Sequence, residues 1–152
     1  MTDPRRVLFV CARNDVRSPM AEALLRHIDP ADFQAFSAGL EAYEIDPRTF
    51  ESLDHIGVDA SGLRSKSLED FEGQAFDYVI TLCDKSSEEA SRMPFTGEVM
   101  VWSFEDPTIS ERHDPFRHTL QEIGDRIKMF VTVKTRPVPQ APSVSDSNTS
   151  RT

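Results

Sequence analysis

The 152-residue chain contains only two cysteines, six glycines and no long apolar run. Two cysteines cannot build the disulfide framework of a small secreted domain, and Cys11 and Cys83 match no zinc-ligand spacing. The apolar stretch at residues 7–10 is far shorter than the roughly 20 residues that span a membrane. It is also too short for the core of a signal peptide. We therefore expect a cytoplasmic protein that does not bind membranes.

Positive charge is also scarce. The chain has 17 Lys and Arg against 26 Asp and Glu, a formal net charge of −9. An acidic surface repels nucleic acids and anionic lipids, so we expect neither as a partner. Any anionic substrate must instead be bound by a local group of donors that acts against the overall negative field.

The order of the apolar segments predicts an α/β fold. Short apolar runs indicate strands at residues 7–10, 33–36, 76–82 and 98–104. Turn and capping residues predict helices after Ser18, after Asp46, over residues 86–93 and from Pro115. Strands that alternate with helices form parallel sheets, so we expect a four-stranded parallel sheet flanked by helices on both faces.

Residue types also predict how two of these helices begin and pack. Ser18 stands directly before a proline, and we expect it to act as the N-cap of the first helix. In the second helix Phe50, Leu53 and Ile56 recur at helical spacing, so we expect all three to face the core.

The C-terminal segment differs in composition from the rest of the chain. Residues 135–152 are rich in Pro and Ser and contain no Leu, Ile or Phe. Such a segment buries too little apolar surface to order itself. We therefore expect one domain over residues 1–134 and a disordered tail over residues 135–152.

The segment that follows the first strand has the character of an anion site. Ligands bind at the carboxyl ends of strands in such sheets, and a helix N-terminus directs backbone N–H groups at them. Cys11 at the base would be held as a thiolate there, well below its ordinary pKa of about 8.5. Arg17 is placed to grip two oxygens of an oxyanion, and the Ser18 hydroxyl to donate to the thiolate. Taken singly, such a Cys and Arg are more often a buried strand-end residue and a surface residue.

Other residues of this segment complete the predicted site. Asn14 tolerates the unusual backbone torsions that such a loop requires. The backbone amides that would surround the anion belong to Ala12, Arg13, Asn14, Asp15, Val16 and Arg17. Asp15 would oppose an incoming anion unless its carboxylate points to solvent or pairs with Arg13.

The chain resembles the low-molecular-weight protein tyrosine phosphatases and the arsenate reductases that share their fold. The first stretch of resemblance is VLFVCxxNxxRSPMAEALLR at residues 7–26, and further pieces are SAG, SKSL, ITLCD and WxFEDP. It covers about residues 5–130, and the last three pieces are more similar to the reductases. The resemblance implies that Cys11 is the nucleophile, that Arg17 and the loop amides stabilise the equatorial oxygens, and that Asp106 protonates the leaving oxygen.

The chain departs from both branches of this family. Thr108 follows Asp106-Pro107, where such phosphatases carry an aromatic wall, and Tyr43 either supplies another wall or packs on the surface. The reductases use a third cysteine, but Ala90 and Ser91 stand at its expected positions. Cys83 is then either the resolving thiol of a two-thiol relay or a buried strand-end cysteine.

Together these features lead to a cysteine-dependent phosphatase acting on phosphotyrosine-like phosphomonoesters through a phosphocysteine, with no metal or other cofactor. The alternative is an arsenate reductase that uses Cys11 with Cys83 or an external thiol. Its expected partners are thioredoxin, glutaredoxin or a low-molecular-weight thiol. A third interpretation is an oxyanion-binding regulatory module without turnover.

Overall fold

A computed structural model describes residues 3–84, 87–88 and 97–135. It contains one sheet of four parallel strands in the order β2-β1-β3-β4. The strands are β1 (Arg5–Cys11), β2 (Phe33–Gly39), β3 (Tyr78–Thr81) and β4 (Glu98–Val101). The predicted fold class is therefore confirmed. The helix predicted at 86–93 lies largely outside the described residues, and so does the predicted tail beyond Thr135.

In the described ranges, three α-helices and one short 3₁₀ helix accompany this sheet. The α-helices are α1 (Arg17–Ile28), α2 (Pro47–His55) and α3 (Pro115–Thr135), and the 3₁₀ helix is Leu68–Phe71. Asp46 caps α2 by accepting a hydrogen bond from the backbone of Arg48, as its position before a proline predicts. None of the helices in the described ranges is long and apolar enough to cross a bilayer.

Two local expectations were wrong. The N-cap of α1 is Val16 and makes no side-chain cap bond, while Ser18 lies inside the first turn and is fully buried. The Ser18 hydroxyl is bonded to side chains of the loop instead of to the helix backbone. Of these three residues only Leu53 is buried, whereas Phe50 and Ile56 are exposed at 37% and 48%. Helical spacing identified the correct helix, but it placed too wide a face of α2 against the core.

Strand β1 is the centre of the core because side chains cover it on both faces. Val7, Phe9 and Cys11 pack with α1 and α3 in one cluster of buried residues. Leu8 and Val10 point the other way and pack with a second cluster that includes the 3₁₀ helix. A strand covered on both faces has a continuous apolar run, which is why β1 was readable from the sequence.

Candidate active site

The site is built on the loop that joins β1 to α1. Cys11 is the last residue of β1 and is buried, and Arg17 is the first residue of α1. Between them the buried Asn14 adopts a left-handed backbone with φ of +54°. That conformation, which Asn tolerates, turns the chain back toward the start of α1. The helix N-terminus beside this loop favours a bound anion.

Hydrogen bonds orient the Ser18 hydroxyl toward the cysteine. The Asn14 side-chain amide donates to Ser18 Oγ over 2.8 Å, and Cys11 Sγ lies 2.9 Å from the same oxygen. Because Ser18 Oγ already accepts from Asn14, its single proton is available for the sulfur. A thiolate is the form in which a cysteine is a nucleophile, and a hydroxyl donor suits that form.

Arg17 and Asp106 meet at the mouth of the loop. Arg17 Nη1 donates to the backbone oxygen of Phe104 over 3.0 Å, and its Nη2 lies 3.9 Å from Asp106 Oδ2. The other Asp106 oxygen accepts from the backbone N–H and the hydroxyl of Thr108 over 2.9 and 2.7 Å. The Thr108 bonds fix the carboxyl group next to the arginine. The fold thus brings together Arg17 and Asp106, which are 89 positions apart in the sequence.

Asp15 is held away from the loop centre by an ion pair. Its Oδ2 lies 3.1 Å from Arg13 Nε, and the Arg13 guanidinium stacks 4.2 Å from the ring centre of Tyr43. Burial raises the pKa of Asp15, and the Arg13 charge partly offsets this while Asp106 adds to it. This ion pair partly neutralises the Asp15 carboxylate, and pairing with Arg13 is one of the two alternatives predicted from the sequence. Tyr43 is 42% exposed and packs on Arg13.

Sequence reasoning missed two residues that hold the loop in place. A Cβ on Gly39 would lie 2.7 Å from both the Arg13 carbonyl carbon and the Asn14 nitrogen, so only glycine leaves room for the loop. Lys66 donates its backbone N–H to Asn14 Oδ1 over 2.6 Å. The Asn14 side chain is therefore bonded on both sides. The SAG and SKSL segments were visible in the sequence, but their position against the loop was not.

A buried carboxylate extends this network away from the loop. Asn14 donates to Ser37 Oγ over 3.0 Å, and the Ser37 hydroxyl donates to Glu22. Glu22 on α1 is 1% exposed and also pairs with Arg26 at 2.6 Å and Lys66 at 3.5 Å. Because a buried charge is costly unless it is paired, Arg26 and Lys66 are needed for Glu22 to remain in the core.

Cys83 follows β3 at the same edge of the sheet. Val10 pairs with Thr81, and the Leu82 N–H donates to the Val10 oxygen over 2.8 Å. Cys83 is the next residue, so it and Cys11 both leave adjacent parallel strands at their carboxyl ends. Both are thiols, with Cys11 buried and Cys83 half-buried. Residues 90 and 91, where a third cysteine was expected, lie outside the described ranges.

The profile of the family described as low molecular weight phosphotyrosine protein phosphatase matches residues 6–138. The chain belongs to this family. This phosphatase-family protein is 33% identical over 129 residues to an arsenate reductase of Halalkalibacterium halodurans, a match that covers 82% of this chain and 93% of the relative. Similar solved structures include both arsenate reductases and tyrosine phosphatases.

Two of these structures show the similarity in three dimensions. A low molecular weight protein tyrosine phosphatase from T. tengcongensis superposes with a TM-score of 0.72 at 28% identity, covering 85% of this chain and 99% of that one. A thioredoxin-dependent arsenate reductase from Corynebacterium glutamicum superposes with a TM-score of 0.67 at 32% identity, covering 87% and 62%. The phosphatase-family protein thus shares its fold with enzymes of both activities.

Proposed function

We propose that this phosphatase-family protein reduces arsenate in the cytoplasm, with Cys11 as the nucleophile and Cys83 as the resolving thiol. The supporting observation is that both thiols follow neighbouring parallel strands at one edge of the sheet. The relative from Halalkalibacterium halodurans is an arsenate reductase, which points the same way. Hydrolysis of a phosphomonoester would give Cys83 no part in the chemistry.

The first step forms a sulfur–arsenic bond. The Cys11 thiolate attacks arsenic, one As–O bond breaks, and that oxygen leaves as water with a proton from Asp106. Arg17 and the loop amides hold the remaining oxygens, where negative charge is spread in the transition state. The Ser18 hydroxyl, 2.9 Å from the sulfur, is placed to donate to the attacking thiolate.

The second step releases arsenite. The Cys83 thiolate attacks the Cys11 sulfur, an S–S bond forms, and the S–As bond breaks with its electron pair left on arsenic. Arsenic is thereby reduced to As(III), and the two thiols are oxidised to a disulfide. A dithiol redoxin then reduces this disulfide and becomes oxidised itself. We infer a thioredoxin-type partner, as in the thioredoxin-dependent relative.

A second candidate function is favoured by the Arg17–Asp106 contact. A phosphatase uses the same attack on phosphorus, after which the Asp106 carboxylate activates water against the phosphocysteine. Asp106 lies 3.9 Å from Arg17 and is one-third exposed, so both a substrate and water can reach it. This route needs neither Cys83 nor a redoxin.

One experiment separates the two candidates. The reduced protein, freed of reductant, is mixed with arsenate or with phosphate, and thiols, intact mass and arsenite are measured. We expect arsenate to consume both thiols, lower the mass by two hydrogens and release one arsenite per chain. Phosphate should leave both the thiols and the mass unchanged. If both thiols survive arsenate and no arsenite appears, the internal relay is wrong.

Two variants serve as controls for this experiment. Cys11→Ser should lose arsenite release and all hydrolysis of para-nitrophenyl phosphate. Cys83→Ser should lose the disulfide but keep any hydrolysis. Hydrolysis by a wild-type protein whose thiols resist arsenate would establish the phosphatase instead.

A further inference from the structure

A cavity lies beside the edge strand β2, outside the catalytic loop. It has a volume of about 600 Å³ and is enclosed by α1 and by residues 62–74. None of residues 11–18 lines it, and neither does Asp106. The cavity lies within the range of volumes typical of small-molecule sites. It plays no part in the chemistry of Cys11.

Three cationic side chains line this cavity. They are Arg26 from α1, and Arg64 and Lys66 from the segment that follows α2. Burial lowers the pKa of Lys66, Glu22 opposes this shift, and the Arg26 and Arg64 charges add to it. The three positive charges are therefore close enough to act on one another. In a chain of net charge −9, such a group is unusual.

The two carboxylates of the cavity are already engaged. Glu22 forms the buried floor and is bonded to Ser37, Arg26 and Lys66. Asp70 accepts a hydrogen bond from the Ser67 backbone and closes the capping box of the 3₁₀ helix. Within the described part of the chain, Arg64 forms no ion pair. Positive charge is thus left on Arg64. The 44% exposed Arg26 uses Nη2 for Glu22 and for the Ala35 oxygen, so only its other guanidinium nitrogens can meet a ligand.

Two aromatic side chains also line the cavity. They are Phe36 of β2 and Phe71 of the 3₁₀ helix, with ring centres 5.9 Å apart, and Gln74 adds an amide. Phe71 is 6% exposed, and the Arg6 guanidinium stacks on Phe36. Cationic and aromatic lining groups together suit a ligand with an anionic group attached to an organic ring. Guanidinium groups pair bidentately with phosphate, which makes phosphate the best fit for the cations.

We propose that this cavity binds a small organic phosphate of mononucleotide size, with the phosphate on Arg26 and Arg64 and the ring against Phe36 and Phe71. The ligand would lie against Lys66 and Ser65. The backbone N–H of Lys66 donates to Asn14 Oδ1 over 2.6 Å, and the Ser65 hydroxyl donates to the backbone oxygen of Asn14 over 3.3 Å. The cavity is therefore separate from the catalytic loop but shares its supports.

The test measures binding of AMP and adenosine by calorimetry in the Arg17→Gln variant. This variant lacks the guanidinium proposed to bind an anion at the catalytic loop. We expect one AMP per chain and binding of adenosine at least about 10-fold weaker, since its phosphate is missing. Adding Arg64→Gln should weaken AMP binding by at least about 10-fold. Adding Lys128→Gln instead, which removes a positive charge on α3 outside the cavity, should leave it unchanged.

Three results would overturn the proposal. They are no AMP binding in the millimolar range, equal binding of AMP and adenosine, and equal losses from Arg64→Gln and Lys128→Gln. Because no turnover is measured, failure of this proposal is distinguishable from failure of the proposed reaction.

Discussion

The guanidinium of Arg17 lies 3.9 Å from the carboxylate of Asp106, although 89 residues separate them. Arg17 begins α1, and Asp106 follows β4, so the contact joins the two ends of the site. It places the proposed proton donor beside the group proposed to bind the oxyanion. Both candidate reactions of Cys11 require this arrangement in their first step.

Replacing Asp106 tests its role as the acid. Asp106→Asn keeps a side chain of the same shape whose oxygen can accept from Thr108, but an amide cannot act as a general acid. We expect the rate of the first step to fall by about 10²–10⁴-fold with binding of phosphate little changed. Rates of arsenite release and of para-nitrophenyl phosphate hydrolysis measure this. Asp125→Asn, on the surface of α3, is the matched control, and a rate loss there equal to that of Asp106→Asn would contradict the assignment.

Gly39 is predicted to be irreplaceable because of where the loop passes. A Cβ there would clash with the Glu41 backbone oxygen as well as with the backbone of Arg13 and Asn14. We expect Gly39→Ala to lower the free energy of unfolding by about 1–3 kcal/mol and to weaken phosphate binding. Gly124→Ala on α3, where the nearest atom is 3.9 Å away, should instead be neutral or stabilising. Denaturant titrations of both variants give the comparison, and equal effects would refute it.

Glu22 and Lys66 should be energetically coupled. Glu22→Gln leaves Lys66, whose side chain is 12% exposed, without its carboxylate partner. We expect the free energy of unfolding to fall by about 3–5 kcal/mol. The double variant Glu22→Gln with Lys66→Met should recover part of that loss, because the buried cation is removed and only the 44% exposed Arg26 is left without its carboxylate partner. Purely additive losses in the double-mutant cycle would show that the two groups do not stabilise each other.

Asp15 should make the fold less stable when it is ionised. Burial raises its pKa above the ordinary value of 3.8, so its charged form is disfavoured in the folded protein. We therefore expect Asp15→Asn to raise the free energy of unfolding at pH 7. The gain should shrink as the pH falls through the raised pKa and should vanish below the ordinary value.

The comparison for Asp15 is a carboxylate with the opposite shift. The hydrogen bond from Arg48 lowers the pKa of Asp46, so Asp46→Asn should lose stability at pH 7. Unfolding titrations of both variants at pH 7 and at acid pH measure these effects. A stability gain for Asp15→Asn that is independent of pH would disprove the explanation by charge.

The catalytic loop was predictable because its parts are close in the sequence. Cys11, Arg17 and Ser18 lie within eight residues, between an apolar strand and a proline-started helix, so local rules place them together. The hydroxyl of Ser18 was expected both to donate to the thiolate and to cap α1. The structure shows its contact with the sulfur and no cap bond, because Asn14 turns the hydroxyl inward.

The amino-acid sequence by itself determined the alternation of strands and helices, and hence the parallel sheet, and the segment that carries Cys11, Arg17 and Ser18 between a strand and a helix. Apolar runs and capping residues act over a few neighbours, so these elements can be read locally. The strand order, with β1 between β2 and β3, was not predicted. The tertiary structure decided which residues support the loop. Lys66 reaches Asn14 across 52 residues, and Gly39 leaves room for Arg13 across 26. Such contacts depend on how the strands pair and how the connections pack, which no local pattern records.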